Sequence, residues 1–322
     1  MLNDVKLPLP PLGKTEWPWI HVPKPYPLIA NSQFWPRISI VTPSYNQGEF
    51  LEETIRSILL QNYPNLEYII MDGGSTDNSV EIIKKYEPWL AYWVSEKDGG
   101  QADAIYRGFE KATGEIIGWI NSDDYLLSGA LKAVSQKFLD NPNTSLVIGG
   151  YVVVRANGRE ICKYYSFPQT FESLLCAGML FGQMASFWKR KLFFEVGGFE
   201  QSLRFCFDYD LFLKLTKKTT PVGIDRVLAA FRLHDMSKSM TIWEKVGAPE
   251  KSKLQEKFGI FQVPVSVRET IEKQAHDWFR RNNHRGLLLD VYRDPKFFLK
   301  RIACIFRDTI LNFNSGKFKS GK

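Results

Sequence analysis

Cysteine is scarce in this 322-residue chain. Cys162, Cys176, Cys206 and Cys304 stand far apart, with no CxxC pair and no Cys/His cluster, so neither a zinc site nor a disulfide framework is expected. A reducing cytoplasm is the default compartment. No stretch approaches the ~18 uninterrupted apolar residues that cross a bilayer, so an integral membrane protein is not expected. The opening MLNDVKLPLPPLGKTEW lacks the basic start and apolar run of a secretory signal. Internal repeats are absent, and so is the GxGxxG spacing of a dinucleotide fingerprint. Acidic residues run short only in the tail. Between 251 and 322, sixteen Lys or Arg face seven Asp or Glu, which leaves the rest of the chain slightly acidic within a net charge of +7.

The hydrophobic fraction of 44% fits a packed globular protein and argues against disorder of the whole chain. Three textures divide it. Residues 1–36 hold eight of the seventeen prolines, which forbids regular helix or central strand and predicts an extended arm lying on the main domain. Residues 37–240 form that domain. Residues 241–322 read as a basic extension of amphipathic helices, notably SVRETIEKQAHDWFRRN and RDPKFFLKRIACIFRDTILNF.

From Arg37 strands and helices alternate. ISIVTP, LEYIIMD, LAYWVSE and GEIIGWI read as strands, and GEFLEETIRSILLQ, NSVEIIKKY and GGQADAIYRGFEKAT as helices between them. Such alternation implies parallel strands joined by crossovers, with the carboxyl ends along one edge, where ligands bind. Four polar clusters fall at those ends: Thr42 to Asn46, Asp72 to Asp77, Glu96 to Asp98 and Asn121 to Asp124. Beyond Leu146, LVIGGYVVVRANGREI predicts a hairpin turning at Asn157-Gly158, and TFESLLCAGM a helix. FFEVGGFEQSL reads as a loop, and FDYDLFLKLTKK as a helix with its acids at the start.

Each cluster has two readings. Asn121, Ser122, Asp123 and Asp124 are oxygen-rich and suit Mg2+ or Mn2+. Taken alone, they favour a solvated turn. Asp72, followed by glycines, can accept from a base or ribose while the backbone approaches closely. Asp77 to Ser79 read instead as turn and cap. Asp98 to Asp103 surround two glycines before a helix, either a ligand site or ordinary turn chemistry. Asp210 reads as a helix cap, whereas Asp208 could serve as a general base. Arg232, His234, Ser237, Lys238 and Ser239 could grip a diphosphate, with His234 also a candidate metal ligand.

Together, ISIVTPSYN through MDGGSTDNS, SEKDGGQADAI, GWINSDDYLLSGAL, FDYDLFLKL and FRLHDMSKS resemble the family 2 glycosyltransferases, in the family's order, from about Arg37 to Ser239. The resemblance implies an α/β GT-A fold, a Rossmann-like and mostly parallel sheet flanked by helices. It implies a nucleotide-sugar donor, a divalent cation (Mg2+ or Mn2+) and an acceptor hydroxyl on a glycan or glycolipid. By the same resemblance, Thr42, Pro43, Tyr45, Asn46, Asp72 and Gly73 would hold the nucleoside. Glu96, Asp98, Gln101 and Asp103 would line the donor pocket, and Asn121 and Ser122 would join them. Asp123, Asp124 and His234 would bind the metal, Arg232 and Lys238 would face the diphosphate, and Asp208 would be the base of an inverting transfer. Three positions depart from the commoner family residues: Asn121 for an acid, Phe207 for Glu and Tyr106 for Asn.

Two rivals keep a place. A nucleotidyltransferase would need a basic phosphate loop early in the chain, and TPSYNQGEF has no Lys or Arg. A non-catalytic sugar-nucleotide or glycan binding module would use the same pocket without turnover. A cytoplasmic location is expected, and no nucleic-acid partner. The basic tail suggests peripheral contact with an anionic membrane, a solvated helical face being the alternative.

Overall fold

The computed structural model describes residues 7–20, 26, 35–237, 241–275 and 277–278. β1 (Ile38–Ser44) and β2 (Leu66–Asp72) are buried along almost their full length, as continuous β-branched runs require of strands covered on both faces. Between them α1 (Gly48–Leu59) turns Leu51, Ile55 and Ile58 inward at helical spacing. The alternation continues through α2 (Ser79–Tyr86), β3 (Tyr92–Ser95), α3 (Gln101–Lys111) and β4 (Ile116–Trp119). These strands lie parallel in the order β3-β2-β1-β4. The turns leaving β1, β2, β3 and β4 therefore share one edge.

After β4 the pattern changes. The elements are β5 (Tyr125–Leu126), α4 (Ala130–Asp140), β6 (Leu146–Arg155), β7 (Glu160–Tyr164), α5 (Phe171–Ala177), β8 (Ser186–Lys189), α6 (Arg190–Glu195), α7 (Phe207–Lys218) and β9 (Val222–Leu233). β8 inserts antiparallel between β4 and β6, β9 runs parallel to β6, and β5 closes the far edge antiparallel to β9. The hairpin of β6 and β7 turns at Asn157-Gly158, where Gly158 takes φ +81° and Arg155 N–H bonds to the Arg159 carbonyl at 2.9 Å. Two expectations are corrected. Phe193 to Glu195 are helical within α6, whose end is set by Gly197 and Gly198 at φ +81° and +63°. Asp210 is not a cap: it is buried within α7 and paired with Lys214 at 2.5 Å.

The sheet separates two cores. Val41, Ile69 and Met71 face α3 and α7, with Trp119, Trp188 and Phe212. Ile38, Ile40, Tyr68 and Ile70 face α1, α2 and α4. Each such fully buried side chain stabilises the fold by roughly 1.5–3 kcal/mol. One polar cluster interrupts the apolar layers: Glu67 accepts from the Ser39 hydroxyl, from Thr113 N–H at 2.6 Å and from the Thr113 hydroxyl at 2.8 Å.

The described part of the proline-rich arm lies against α1. Arg56, only 3% exposed, donates to the carbonyls of Pro8, Pro18 and Trp19, and its guanidinium stacks on the Trp19 ring. Trp17 donates to the Leu126 carbonyl at 2.8 Å. At the other end, a π-helical turn at Trp243–Gly247 leads into α8 (Ala248–Lys257), and residues 265–275 are helical. The helix expected at RDPKFFLKRIACIFRDTILNF lies outside the described residues, as does Lys238. Among the described residues no helix is long and apolar enough to cross a membrane.

Candidate active site

A cleft of about 1140 Å3 opens along the carboxyl edge of the sheet. Its wall takes Pro43, Ser44, Tyr45 and Asn46 from the end of β1, Gly73 and Gly74 after β2, and Asp98 and Gln101 at the start of α3. Asn121, Ser122 and Asp123 follow β4, Asp208 enters from α7, and His234 from the end of β9. Eleven expected residues thus meet on one wall although they are far apart in the chain. Tyr45 is 62% exposed at the mouth, and the Ser44 hydroxyl is buried without a hydrogen-bond partner.

The turns are built by residues that do not reach the cleft. Asp72 was expected to hold the nucleoside, but its carboxylate accepts from Gly74 and Ser75 N–H at 3.2 and 2.9 Å and from the Ser75 and Ser95 hydroxyls. It is 2% exposed and shapes the Gly73–Ser75 turn. Gly73 passes so close to Asp98 that a Cβ would stand 2.9 Å from its carboxylate. Thr42 is likewise buried, its hydroxyl 3.0 Å from that of Tyr68. Glu96 points outward to Arg107, and Asp103 accepts from Gly99 N–H at 3.0 Å. Thr42, Asp72, Glu96 and Asp103 thus belong to the frame of the cleft, while Gly73 and Asp98 line it. Asp77 does as expected of a turn residue: it accepts from Ser79 N–H and pins Gly48 N–H at the start of α1.

The loop after β4 is held from below. Thr54 of α1 donates to the carbonyls of Ser122 and Asp124 at 2.9 and 2.6 Å. Asp124 is fully buried, accepting from Arg232 N–H at 2.9 Å and from the Asn121 amide at 3.3 Å. Burial first, and then the neighbouring Asp123 charge, pushes its carboxyl well above the usual range. Asn121 now has a physical reason: an acid in its place would repel Asp124, whereas the amide donates to it. Arg232 is also corrected. Its guanidinium is 2% exposed, donates to the Asp123 and Ala156 carbonyls, pairs with Glu53 at 2.9 Å and packs on Phe50 and Tyr125. With three of its five N–H groups directed at these partners and almost no exposed surface, the guanidinium is occupied by the fold.

Asp123 and His234 do face the cleft, with Oδ2 and Nε2 2.9 Å apart. Among the described residues no group of three or more His, Cys, Asp or Glu is placed to hold a metal ion, so the expected triad with Asp124 does not form. A carboxylate oxygen and an imidazole nitrogen nevertheless fit Mn2+ or Mg2+ as a two-donor set that leaves positions for diphosphate oxygens. The electrostatics favour this. Glu49, Asp77, Asp98, Asp123 and Asp208 line the cleft, against Lys97 as the one Lys or Arg among the described lining residues. Such a field repels an uncompensated diphosphate.

The lining is also aromatic, with Trp119, Phe205, Phe207 and Phe231. Phe207, one of the departures, is 5% exposed and packs on Trp119 and Phe199. Gln183 was not expected: it lines the cleft while donating to the Trp119 carbonyl at 2.6 Å, and it comes from a short 3-10 turn with no motif to mark it.

Residues 39–204 match the family model described as glycosyl transferase family 2. The chain belongs to that family. This glycosyltransferase is 28% identical over 216 residues to the putative teichuronic acid biosynthesis glycosyltransferase TuaG of Bacillus subtilis strain 168, covering 65% of the chain and 84% of the relative. Among solved structures it resembles TarS of S. aureus in complex with UDP-GlcNAc, with TM-score 0.53 at 17% identity over 79% of this chain and 83% of the other. The mannosyltransferase PcManGT of Pyrobaculum calidifontis, in complex with GDP-Man and Mn2+, gives TM-score 0.51 at 18% identity over 89% and 84%. These likenesses establish the GT-A fold for this glycosyltransferase.

Proposed function

We propose that this glycosyltransferase moves a sugar from a nucleotide-sugar donor to a glycan hydroxyl by a single inverting displacement. The observation that carries the reading is the sharing of one cleft by Asp208 and the Asp123–His234 pair. Tyr45, Asn46 and Gly73 offer a surface and backbone for a nucleoside, and the orphaned Ser44 hydroxyl offers it a hydrogen bond. Asp98 and Gln101 lie further along the same wall for the sugar. The donors bound by TarS and PcManGT, and the biosynthetic role printed for TuaG, support the substrate class.

Asp123 and His234 would hold Mn2+ or Mg2+, which when bound would offset the charge that develops on the departing diphosphate. Asp208 accepts the proton of the acceptor hydroxyl as its oxygen bonds to the anomeric carbon and the bond to the diphosphate breaks. The leaving electron pair stays on the diphosphate oxygen. Attack from the opposite side inverts the anomeric centre. Half-buried Phe205 and Phe231, which line the same cleft, suit the apolar face of a sugar ring.

A panel of UDP-, GDP- and dTDP-sugars tests this by metal-dependent hydrolysis and thermal stabilisation. Turnover of one donor with Mn2+, abolished in Asp208→Asn, is expected. Undiminished turnover in Asp208→Asn removes the base assignment, and binding without turnover favours a binding module. The charge of residues 251–322 further supports peripheral contact with an anionic membrane. Co-sedimentation with anionic liposomes at low salt tests it, and failure to sediment removes it.

A further inference from the structure

The first N–H groups of a helix need acceptors, and Ser, Thr, Asp or Asn just before the helix normally supplies one. The chain before α7 reads Arg204-Phe205-Cys206, and the Cys206 side chain at the cap position accepts no hydrogen bond from the first turn. Within the first turn Tyr209 N–H donates to the Asp208 carboxylate at 2.7 Å, and the stretch that enters the helix takes its acceptor from 44 residues beyond Cys206. Glu250 Oε2 accepts from Cys206 N–H at 2.8 Å and Phe205 N–H at 2.9 Å, while Oε1 accepts from Arg204 N–H at 2.8 Å. A carboxylate at this end also opposes the positive end of the helix dipole.

We propose that Glu250 is a positioning residue for Asp208, acting through this borrowed cap. The inference rests on the reading of Asp208 as the base. Arg204 to Cys206 run straight into Phe207 and Asp208, so fixing their three N–H groups fixes where the first turn of α7 enters the cleft. Phe205, Phe207 and Asp208 all line that cleft. The segment before α8 grips the same stretch from a second side. The Cys206 thiol donates to the Gly247 carbonyl at 3.3 Å, and Trp243 packs edge-on against Phe205 at 5.2 Å. Gly247 leaves no slack, since a Cβ there would meet Trp243 at 2.5 Å and Phe205 at 2.9 Å. Beyond Glu250, Gln255 donates to the Leu175 carbonyl at 2.8 Å, and Tyr209 of α7 donates to the Leu174 carbonyl at 3.1 Å, so α8 and α7 share α5 as a common base. The C-terminal segment is thus part of the catalytic assembly.

Loss of the carboxylate leaves three N–H groups without their acceptor and frees the entry of α7. A displacement of about 1 Å at a reacting group can lower turnover on the order of 100-fold. The test is a cycle of Glu250→Ala, Asp208→Asn and the double variant in the full chain. Mn2+-dependent nucleotide release is read with the UDP-, GDP- and dTDP-sugar panel, and nucleotide affinity is measured separately. Glu250→Ala should lower kcat about 10- to 100-fold with nucleotide affinity unchanged. Glu250→Gln, which keeps one acceptor oxygen, should lose less. In the Asp208→Asn background Glu250→Ala should have no further effect. Unchanged kcat in Glu250→Ala, an equal loss in the Asp208→Asn background, or a loss confined to nucleotide affinity overturns the inference. Should Glu250→Ala fail to fold, Glu250→Gln with amide exchange at 204–206 decides: unaltered protection together with unaltered kcat overturns it. A fully active Asp208→Asn marks failure of the base reading itself, which is a separate outcome.

Discussion

His234 Nε2 lies 2.9 Å from Asp123 Oδ2 across 111 residues of sequence. The pair joins the end of β9 to the loop after β4 at the cleft wall. Neither neighbour can replace it: Asp124 faces down to Arg232 N–H, and the Asn121 carbonyl oxygen accepts from Gln101 at 2.8 Å.

The proposed cation site would therefore depend on two side chains. Asp123→Asn and His234→Ala should each lower Mn2+ affinity, measured by manganese titration with nucleotide present, by at least about 10-fold. Asp124→Asn should leave that affinity unchanged. Equal losses in all three variants would restore Asp124 as a ligand.

Arg232 has the opposite character, a cation consumed by the fold. Removing it strands Glu53 without its partner and takes the floor from beneath Asp123. Arg232→Ala should destabilise the protein by about 3–5 kcal/mol, the usual consequence of breaking a buried pair. Urea unfolding measures this. A variant of native stability that has merely lost nucleotide affinity would restore the diphosphate role.

Four of the expected site residues share one property. Asp72, Asp103, Asp124 and Arg232 all stand at strand ends or helix starts, where sequence position is readable but side-chain direction is not. Backbone N–H groups in the same turns compete for the carboxylates, and burial gives that competition the advantage. The strands and their shared edge were legible because β-branched runs such as Ile38 to Val41 and Tyr68 to Met71 can be little else. The insertion of β8 between β4 and β6 was not, since antiparallel pairing over a few residues leaves no periodic mark. Glu250 and Gln183 escaped for a related reason. Each acts on backbone groups far away in sequence, and neither sits in a motif.

Glu67 offers a test of stability against pH. Burial works to raise its carboxyl, but hydrogen bonds from Ser39 and Thr113, with Arg37 nearby, overcome this and hold it below its ordinary value. A carboxyl lowered in the folded state stabilises above its unfolded pKa, and that contribution is lost as pH falls through the folded value. Glu67→Gln should therefore cost about 1.5–3 kcal/mol at pH 7, as expected for hydrogen bonds to a charged group. The gap between wild type and variant should shrink on acidification below about 4.5. A gap that stays constant down to pH 3 would show that the charge of Glu67 does not contribute.

Cys206 gives a chemical reading of the same joint that Glu250 caps. Burial first, then the Asp208 and Glu250 charges, pushes its thiol up to about 12. Only the thiolate reacts with alkylating agents, so the folded protein should leave Cys206 unlabelled by iodoacetamide at pH 8, with full labelling in urea. A thiol raised in the folded state contributes stability that is complete below its unfolded pKa and lost as pH climbs towards the folded value, so Cys206 favours the fold less above about pH 9. Glu250→Ala removes one of the raising charges and loosens the cap. If α8 holds the start of α7, peptide mapping should then show faster labelling at Cys206 while buried Cys162, in β7, stays protected. Unchanged labelling of Cys206 in that variant would mean that the start of α7 keeps its place without the carboxylate.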